Sequence, residues 1–375
     1  MPRIALITTS YPDAMPGSEA AGSFVEDFAL ELARIVDVTV LAASETDSVE
    51  NNERLTIRRF AVPRLPLSSL RPANPLDWPA IVAALRRGRR ATLDMVGADR
   101  PDHILALWAL PSGWWARSTD VSYSTWVLGS DVWTLGRIPV MRSVLASVLK
   151  AATHRFADGI QLAADVEQLS TRSCSFLASA RRLPAPQSTS TTQSDGLKLA
   201  FLGRWHPNKG ADLLMQALLS LGDEHWQSIH EVRIFGGGPL EDQVRRSADT
   251  LSAAGRPITI GGYLGKQEAA NLISWADFLL LPSRIESIPV IFSDAMQLGT
   301  PIIATPVGDL PRLFEHYECG VLADAVTSEG LADALCAALF RDPRSFLTGV
   351  ERARADFDTR FIVRQFLDAI GETTA

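Results

Sequence analysis

Short apolar runs alternate with amphipathic stretches along nearly the whole chain, and the alternation breaks once, in the middle. Runs of this length followed by helical patterning are the signature of βα units that build parallel sheets covered by helices on both faces. In the first half, residues 4–8, 38–42, 56–60, 103–107 and 124–128 read as strands, with helical stretches at 25–35 and 141–152. The run Gly159-Ile-Gln-Leu162 reads as a further strand ahead of a helix through 165–169. Pro184-Ala-Pro-Gln-Ser-Thr-Ser-Thr-Thr-Gln-Ser-Asp-Gly196 then carries no period and reads as a linker. Beyond it the pattern restarts, with strands expected at 197–202, 231–235, 258–260, 278–281 and 301–304. Helices are expected at 212–221, 240–254, 267–275 and across Asp294. The expectation is an α/β fold of two similar halves with a cleft between them: domains 1–190 and 191–345, then a helical segment 346–375 packing back on the body.

Composition narrows the class of molecule. With 375 residues, 46% hydrophobic and 21% charged, the chain is long enough for two cores. A formal net charge of -7 argues against a protein whose main work is gripping nucleic-acid phosphates. Cys174, Cys319 and Cys336 lie far apart and show no metal-ligand spacing, which suits a reducing compartment. The first apolar run is too short for a signal sequence, and no run approaches the roughly 20 apolar residues that span a bilayer. A cytoplasmic protein is expected.

Ligands of open α/β sheets bind beyond the carboxyl ends of the strands, so motifs there carry most weight. Gly203-Arg204-Trp-His-Pro-Asn-Lys209-Gly210 closes the first strand of the second half and opens a helix. Two cations beside a helix N-terminus suit a diphosphate, although a basic pair in a loop is more often simply solvated. Glu286 and Asp294 bracket Glu286-Ser-Ile-Pro-Val-Ile-Phe-Ser-Asp294, which follows the apolar strand at 278–281. With a helix starting near Pro289, both acids could face one polyol ligand; the plainer reading is two acids on an ordinary strand-loop-helix unit. Gly236-Gly237-Gly238-Pro239 allows close backbone approach to a ligand or merely a tight turn. No Walker lysine-serine follows it and no GxGxxG spacing occurs, so triphosphate hydrolysis and nicotinamide chemistry lose ground. In the first half, the small-residue loop from Pro16 to Gly22 precedes a helix, and Gly129-Ser-Asp131 ends a strand, where Asp131 either meets a sugar hydroxyl or caps the next segment.

Taken in order, these motifs resemble the retaining glycosyltransferases of glycosyltransferase family 4, whose GT-B fold has two Rossmann-like domains facing across a cleft. Gly203-Arg204 to Lys209-Gly210, the Gly236 cluster, Glu286 with an acid eight residues on, and Gly299-Thr-Pro-Ile-Ile-Ala-Thr-Pro-Val-Gly308 occur in the family's order. The resemblance implies that Arg204 and Lys209 hold the donor diphosphate and stabilise the leaving nucleotide, which makes a metal or other cofactor unnecessary. It implies that Glu286 contacts the transferred sugar and Asp294 the ribose. Main-chain groups of Gly203, Gly236, Gly237, Ile288, Pro289 and Val290 would line the donor site, Pro289 without an amide to offer. Gly22 would face the diphosphate from the first domain. The partners implied are a nucleotide-diphosphate sugar and a glycan, lipid-linked or small-molecule acceptor, with no nucleic acid.

The chain departs from the family in places. Asp294 stands where glutamate is usual, and Leu128 where many members have a histidine before glycine-serine-aspartate. Leu105 and Leu107 precede Trp108-Ala-Leu-Pro-Ser-Gly113 where histidines are common, and leucine cannot bond a sugar hydroxyl. Asp356-Phe-Asp358 has the spacing of metal-dependent glycosyltransferases but lies in the C-terminal helical region, where it reads as helix surface. Arg86-Arg-Gly-Arg-Arg90 follows a proline-rich stretch and is either a solvated helix end or a contact with the inner face of a membrane. Retaining glycosyl transfer in polysaccharide, glycolipid or glycoconjugate assembly is the expected function. A nucleotide-sugar epimerase or hydrolase, and a non-catalytic partner subunit, stay open as alternatives.

Overall fold

The computed structural model describes residues 2–12, 22–187 and 195–371. Residues 16–21 of the glycine loop and 188–194 of the linker lie outside the described residues. The chain forms two compact units, one of Met1–Arg181 with Thr359–Ala375 and one of Arg182–Asp358.

The first unit is built on strands β1 (Arg3–Thr8), β2 (Asp37–Ser44), β3 (Ser48–Asn52), β4 (Leu55–Ala61), β5 (His103–Leu107), β6 (Tyr123–Val127), β7 (His154–Ala157) and β8 (Ser175–Phe176). Among the described residues they lie in the order β3-β4-β2-β1-β5-β6-β7-β8, parallel except for β3 against β4. Every residue of β5 and β6 is buried, as a parallel sheet covered on both faces demands. Helices α1 (Ser23–Ala33), α2 (Trp78–Asp99), α3 (Pro139–Ala151) and α4 (Ile160–Ser170) accompany the sheet. The run 159–162 is therefore not a strand: it enters α4, and the strand before it is β7. That strand hides behind its polar start, because buried Arg155 spends its guanidinium on the carbonyls of Leu149, Ala152 and Ser173. The charged edge strand β3 was likewise not expected; its exposed Glu50, Asn51 and Asn52 blunt the sheet edge.

The second unit carries β9 (Leu197–Arg204), β10 (Ile229–Gly237), β11 (Ile258–Gly261), β12 (Phe278–Leu281), β13 (Ile302–Ala304) and β14 (Gly320–Leu322). Their order is β11-β10-β9-β12-β13-β14, with all pairs parallel. Helices α5 (Ala211–Ser220), α6 (Glu241–Ala253), α7 (Lys266–Trp275), α8 (Val290–Leu298), α9 (Leu310–Tyr317), α10 (Ser328–Leu339) and α11 (Leu347–Asp356) complete it. Phe357, just beyond α11, packs on Phe292 of α8 with ring centroids 5.2 Å apart. Two residues later α12 (Thr359–Ala369) joins the first unit. Its Phe366 is fully buried against Phe28 and Phe156, at 5.7 and 5.8 Å between centroids.

Each sheet reverses direction once. In the second unit the chain adds β10 and β11 on one side of β9, then returns to place β12 on the other. The loops after β9 and β12 therefore leave neighbouring strands toward opposite faces and open a crevice at their carboxyl ends, where ligands of such sheets bind. In the first unit the equivalent point lies between β1 and β5, where Gly22 and the 108–113 loop follow their strands.

Candidate active site

At the switch point of the second unit, two loops are zipped together. The first, 203–210, leaves β9, turns through a 3-10 segment Pro207–Lys209 and enters α5. His206 Nδ1 accepts the Asn208 amide at 3.1 Å and closes that turn. The second, 282–289, links β12 to α8. Gly210 joins them at a point no other residue could occupy: its φ is +69°, and an added Cβ would sit 1.7 Å from the carbonyl oxygen of Pro282. Arg284 fastens the rest. Its guanidinium holds both carboxylate oxygens of Asp212, at 2.8 and 2.9 Å, and donates to the Pro207 carbonyl at 2.7 Å. Its amide donates to the Asn208 carbonyl at 2.8 Å.

Lys209 and Glu286, far apart in sequence, are brought into direct contact by this zipper. Lys209 Nζ pairs with Glu286 Oε1, and Ser283 Oγ donates to the same oxygen at 3.0 Å. Glu286 is largely buried and Lys209 partly exposed. Arg204, at the end of β9, is exposed and its guanidinium has no partner among the described residues. One edge thus offers one free cation and one cation held by a carboxylate.

The glycine cluster flanks the first loop. Gly236 and Gly237 end β10 in register with Gly203 and Arg204 of β9. The carbonyl of Gly237 accepts the Trp205 amide and the Tyr263 hydroxyl, each at 2.8 Å. Trp205 is fully buried and fixes the loop from beneath. On the other side, α8 begins at Val290 with Pro289 as its N-cap and Ile288 buried just before. The Phe292 amide is taken by the Pro289 carbonyl at 2.8 Å, which leaves the amides of Val290 and Ile291 for an anion or hydroxyl at the loop end. Asp309 donates its amide to the Ser287 carbonyl at 3.2 Å, tying the loop after β13 to the same group. Asp294 lies inside α8 and is fully buried, so unlike Glu286 it presents no exposed surface in this structure.

In the first unit, Gly22 caps α1 with φ +89°, its α-carbon pressed against the Ser10 carbonyl, where an added Cβ would lie 2.5 Å away. Asp131 is fully buried beyond β6 and accepts the amides of Ala109 at 2.7 Å and Val132 at 3.2 Å. It pins the 108–113 loop to the end of β6, and burial pushes its carboxyl up to about 6. His103 faces Ser124 and Phe366 in the core, and burial lowers it to about 4. Asp356 accepts the Tyr317 hydroxyl at 2.6 Å at the end of α11.

Sequence reasoning singled out Lys209, Glu286 and the glycine loops, which the structure places at one sheet edge, and passed over Arg284, Asp212, Ser283 and Tyr263. The first three sit within five residues of a motif that was singled out, and that proximity was the available signal.

Two α/β sheets of mainly parallel strands, each with one switch point, are the architecture of the GT-B fold. The family described as "Glycosyl transferases group 1" matches residues 196–341, which includes the whole loop zipper. That match covers less than half of the chain, so it is the second unit that is similar to this group. The D-inositol 3-phosphate glycosyltransferase of Corynebacterium glutamicum is 34% identical over 163 residues, a match that spans 42% of this chain and only 39% of that protein. A GDP-mannose-dependent alpha-(1-6)-phosphatidylinositol monomannoside mannosyltransferase of Mycolicibacterium smegmatis is 24% identical over 360 residues, covering 90% of this chain and 89% of that one. Among solved structures, the sucrose-phosphate synthase of Thermosynechococcus elongatus superposes with a TM-score of 0.75 at 19% identity, over 99% of both chains, and shares the GT-B fold.

Proposed function

We propose that the protein transfers a sugar from a nucleotide-diphosphate sugar to a hydroxyl acceptor with retention of configuration, in polysaccharide, glycolipid or glycoconjugate assembly. The observation that carries this is the contact of Lys209 with Glu286 at the switch point where Arg204 ends β9, built by loops the group 1 family match covers. Arg204 and Lys209 take the diphosphate, and the amide end of α8 adds a fixed positive dipole. Glu286 takes hydroxyls of the transferred sugar. Asp294, buried inside α8, is the proposed ribose contact. As the bond between the anomeric carbon and the phosphate oxygen breaks, the acceptor oxygen bonds to the same face of that carbon. The acceptor proton passes to the leaving phosphate, and the two cations stabilise the charge that develops there.

The acceptor site is proposed in the first unit, beyond β1, β5 and β6, where Asp131 shapes the loop. A surface on that unit supports a lipid-linked acceptor. Along α2, Trp78, Val82, Arg86, Arg89 and Leu93 follow one another at helical spacing and form one exposed face, with Arg90 beside it. A stripe of exposed apolar and basic side chains suits contact with anionic headgroups, and the phosphatidylinositol-glycosylating relative is in keeping with that. Among the described residues no helix is long and apolar enough to cross a membrane.

Thermal shift over nucleosides, nucleoside diphosphates and their sugars tests the donor site, since a bound ligand stabilises by mass action. Arg204→Ala and Lys209→Ala are expected to weaken diphosphate binding by tenfold or more, roughly the loss of a charge-assisted bond, and to leave nucleoside binding nearly unchanged. Equal loss for both ligands would remove these residues from the diphosphate site.

A further inference from the structure

In the structure, the two groups assigned to different parts of the donor pair with each other. Lys209 is the proposed phosphate ligand and Glu286 the proposed sugar ligand, yet they form one ion pair, with Ser283 donating to the shared oxygen. Glu286 is the more buried partner, its side chain 11% exposed against 37% for Lys209. A buried carboxylate stripped of its cation is left unfavourably solvated, while the more exposed lysine can turn to another anion.

A complete donor replaces both halves of this pair. Its phosphate takes the ammonium, and sugar hydroxyls donate to the carboxylate in place of Lys209. A nucleoside diphosphate without a sugar replaces only one half. It draws Lys209 away, leaves Glu286 without a cation and brings a second negative group beside it. We propose that the Lys209–Glu286 pair is a selectivity device that holds down affinity for the sugar-free nucleotide, so that the spent donor is discriminated against and released. Specificity of this kind comes from a built-in competitor as much as from attractive contacts. Arg284 makes the competition possible, because its hold on Asp212 and on the Pro207 and Asn208 carbonyls keeps the two loops in register.

The proposal rests on the donor-site assignment and has its own test. Full-length wild type, Glu286→Gln, Glu286→Ala, Lys209→Ala and the Lys209→Ala/Glu286→Gln double variant are titrated calorimetrically with UDP, GDP and ADP, and with UDP-glucose and GDP-mannose. Removing the competing charge is expected to tighten the best-bound nucleoside diphosphate about fivefold, the scale of one partly buried ion pair, while its sugar-bearing form gains nothing, because it also loses the carboxylate that accepts its hydroxyls. The gain should vanish in the Lys209→Ala background, because the ammonium that profits is gone. A merely structural role for Glu286 would weaken both ligands together. Unchanged or weaker nucleoside diphosphate binding in both Glu286→Gln and Glu286→Ala overturns the device and leaves the donor site standing. Wild type that binds none of the five ligands overturns the donor-site assignment and the device with it.

Discussion

Asp131 shows how one residue can look like a binding group in sequence and serve the backbone in the fold. Its carboxylate is taken up by the amides of Ala109 and Val132, so it holds a loop at the sheet's switch point. Burial raises its carboxyl to about 6, above the roughly 3.9 expected of an unfolded chain. The native state therefore keeps the proton longer than the unfolded state does. Stability from this group is full below about pH 4 and is lost as pH rises from 4 to 6, a penalty of about 3 kcal/mol at neutral pH. Asp131→Asn cannot ionise, so its melting temperature relative to wild type should rise between pH 4 and pH 7; a constant difference across those melts would show that the carboxyl does not titrate there. Glu286 and Lys209 could be read from sequence because their chemistry and their spacing from predicted strands agreed. Arg284 could not, since a lone arginine after a strand reads as solvated until the fold sets Asp212 and two carbonyls around it.

At the scale of elements, parallel strands with continuous apolar sequence were easy to place and those with polar starts were not. β12 matches its expected bounds because Phe278-Leu-Leu-Leu281 has no other stable place than between two covered faces. β7 was displaced because its His154-Arg155 start broke the apolar run. Of the 22-residue helix α2 only the arginine run was read, as a helix end or a membrane contact, because Gly88 and the arginines interrupt its pattern. Gly88 has a packing reason: an added Cβ would lie 2.3 Å from the ring of Trp115. The same helix turns Trp78 outward with its indole nitrogen bonded to the Pro72 carbonyl at 2.8 Å, so an aromatic ring stands fixed beside the basic stripe. Replacing Arg86, Arg89 and Arg90 by glutamate should weaken sedimentation with phosphatidylglycerol vesicles by about a hundredfold or more, given about 1 kcal/mol per basic residue near an anionic surface. Binding to phosphatidylcholine vesicles should be low for both proteins. Equal sedimentation of the variant and wild type would detach α2 from any membrane role.

Across the whole molecule, the doubling of the α/β pattern in sequence corresponds to the two sheets of the GT-B fold. Where the last helix belongs could not be read, because α11 and α12 are both amphipathic and only tertiary packing tells them apart. The choice is made by a few rings: Phe357 is seated in the second unit, and Phe366 in the first with Phe28 and Phe156. Phe366→Ala should destabilise the first unit by about 3–5 kcal/mol, the usual effect of emptying an aromatic core site. Hydrogen exchange should quicken in β5, β6 and β7 and stay unchanged in β9, β10 and β12. Faster exchange in both sheets alike would mean that α12 does not belong to the first unit alone.

That last crossing also bears on how the protein is made. The second unit is one unbroken stretch of chain, whereas the first needs residues translated after it. On the ribosome, the half that carries Lys209 and Glu286 can reach its native packing while the earlier half still exposes the apolar surface that Phe366 will cover. Synthesis order and folding order then run opposite ways, and the first-made half is the one that waits for a chaperone or for the final helix.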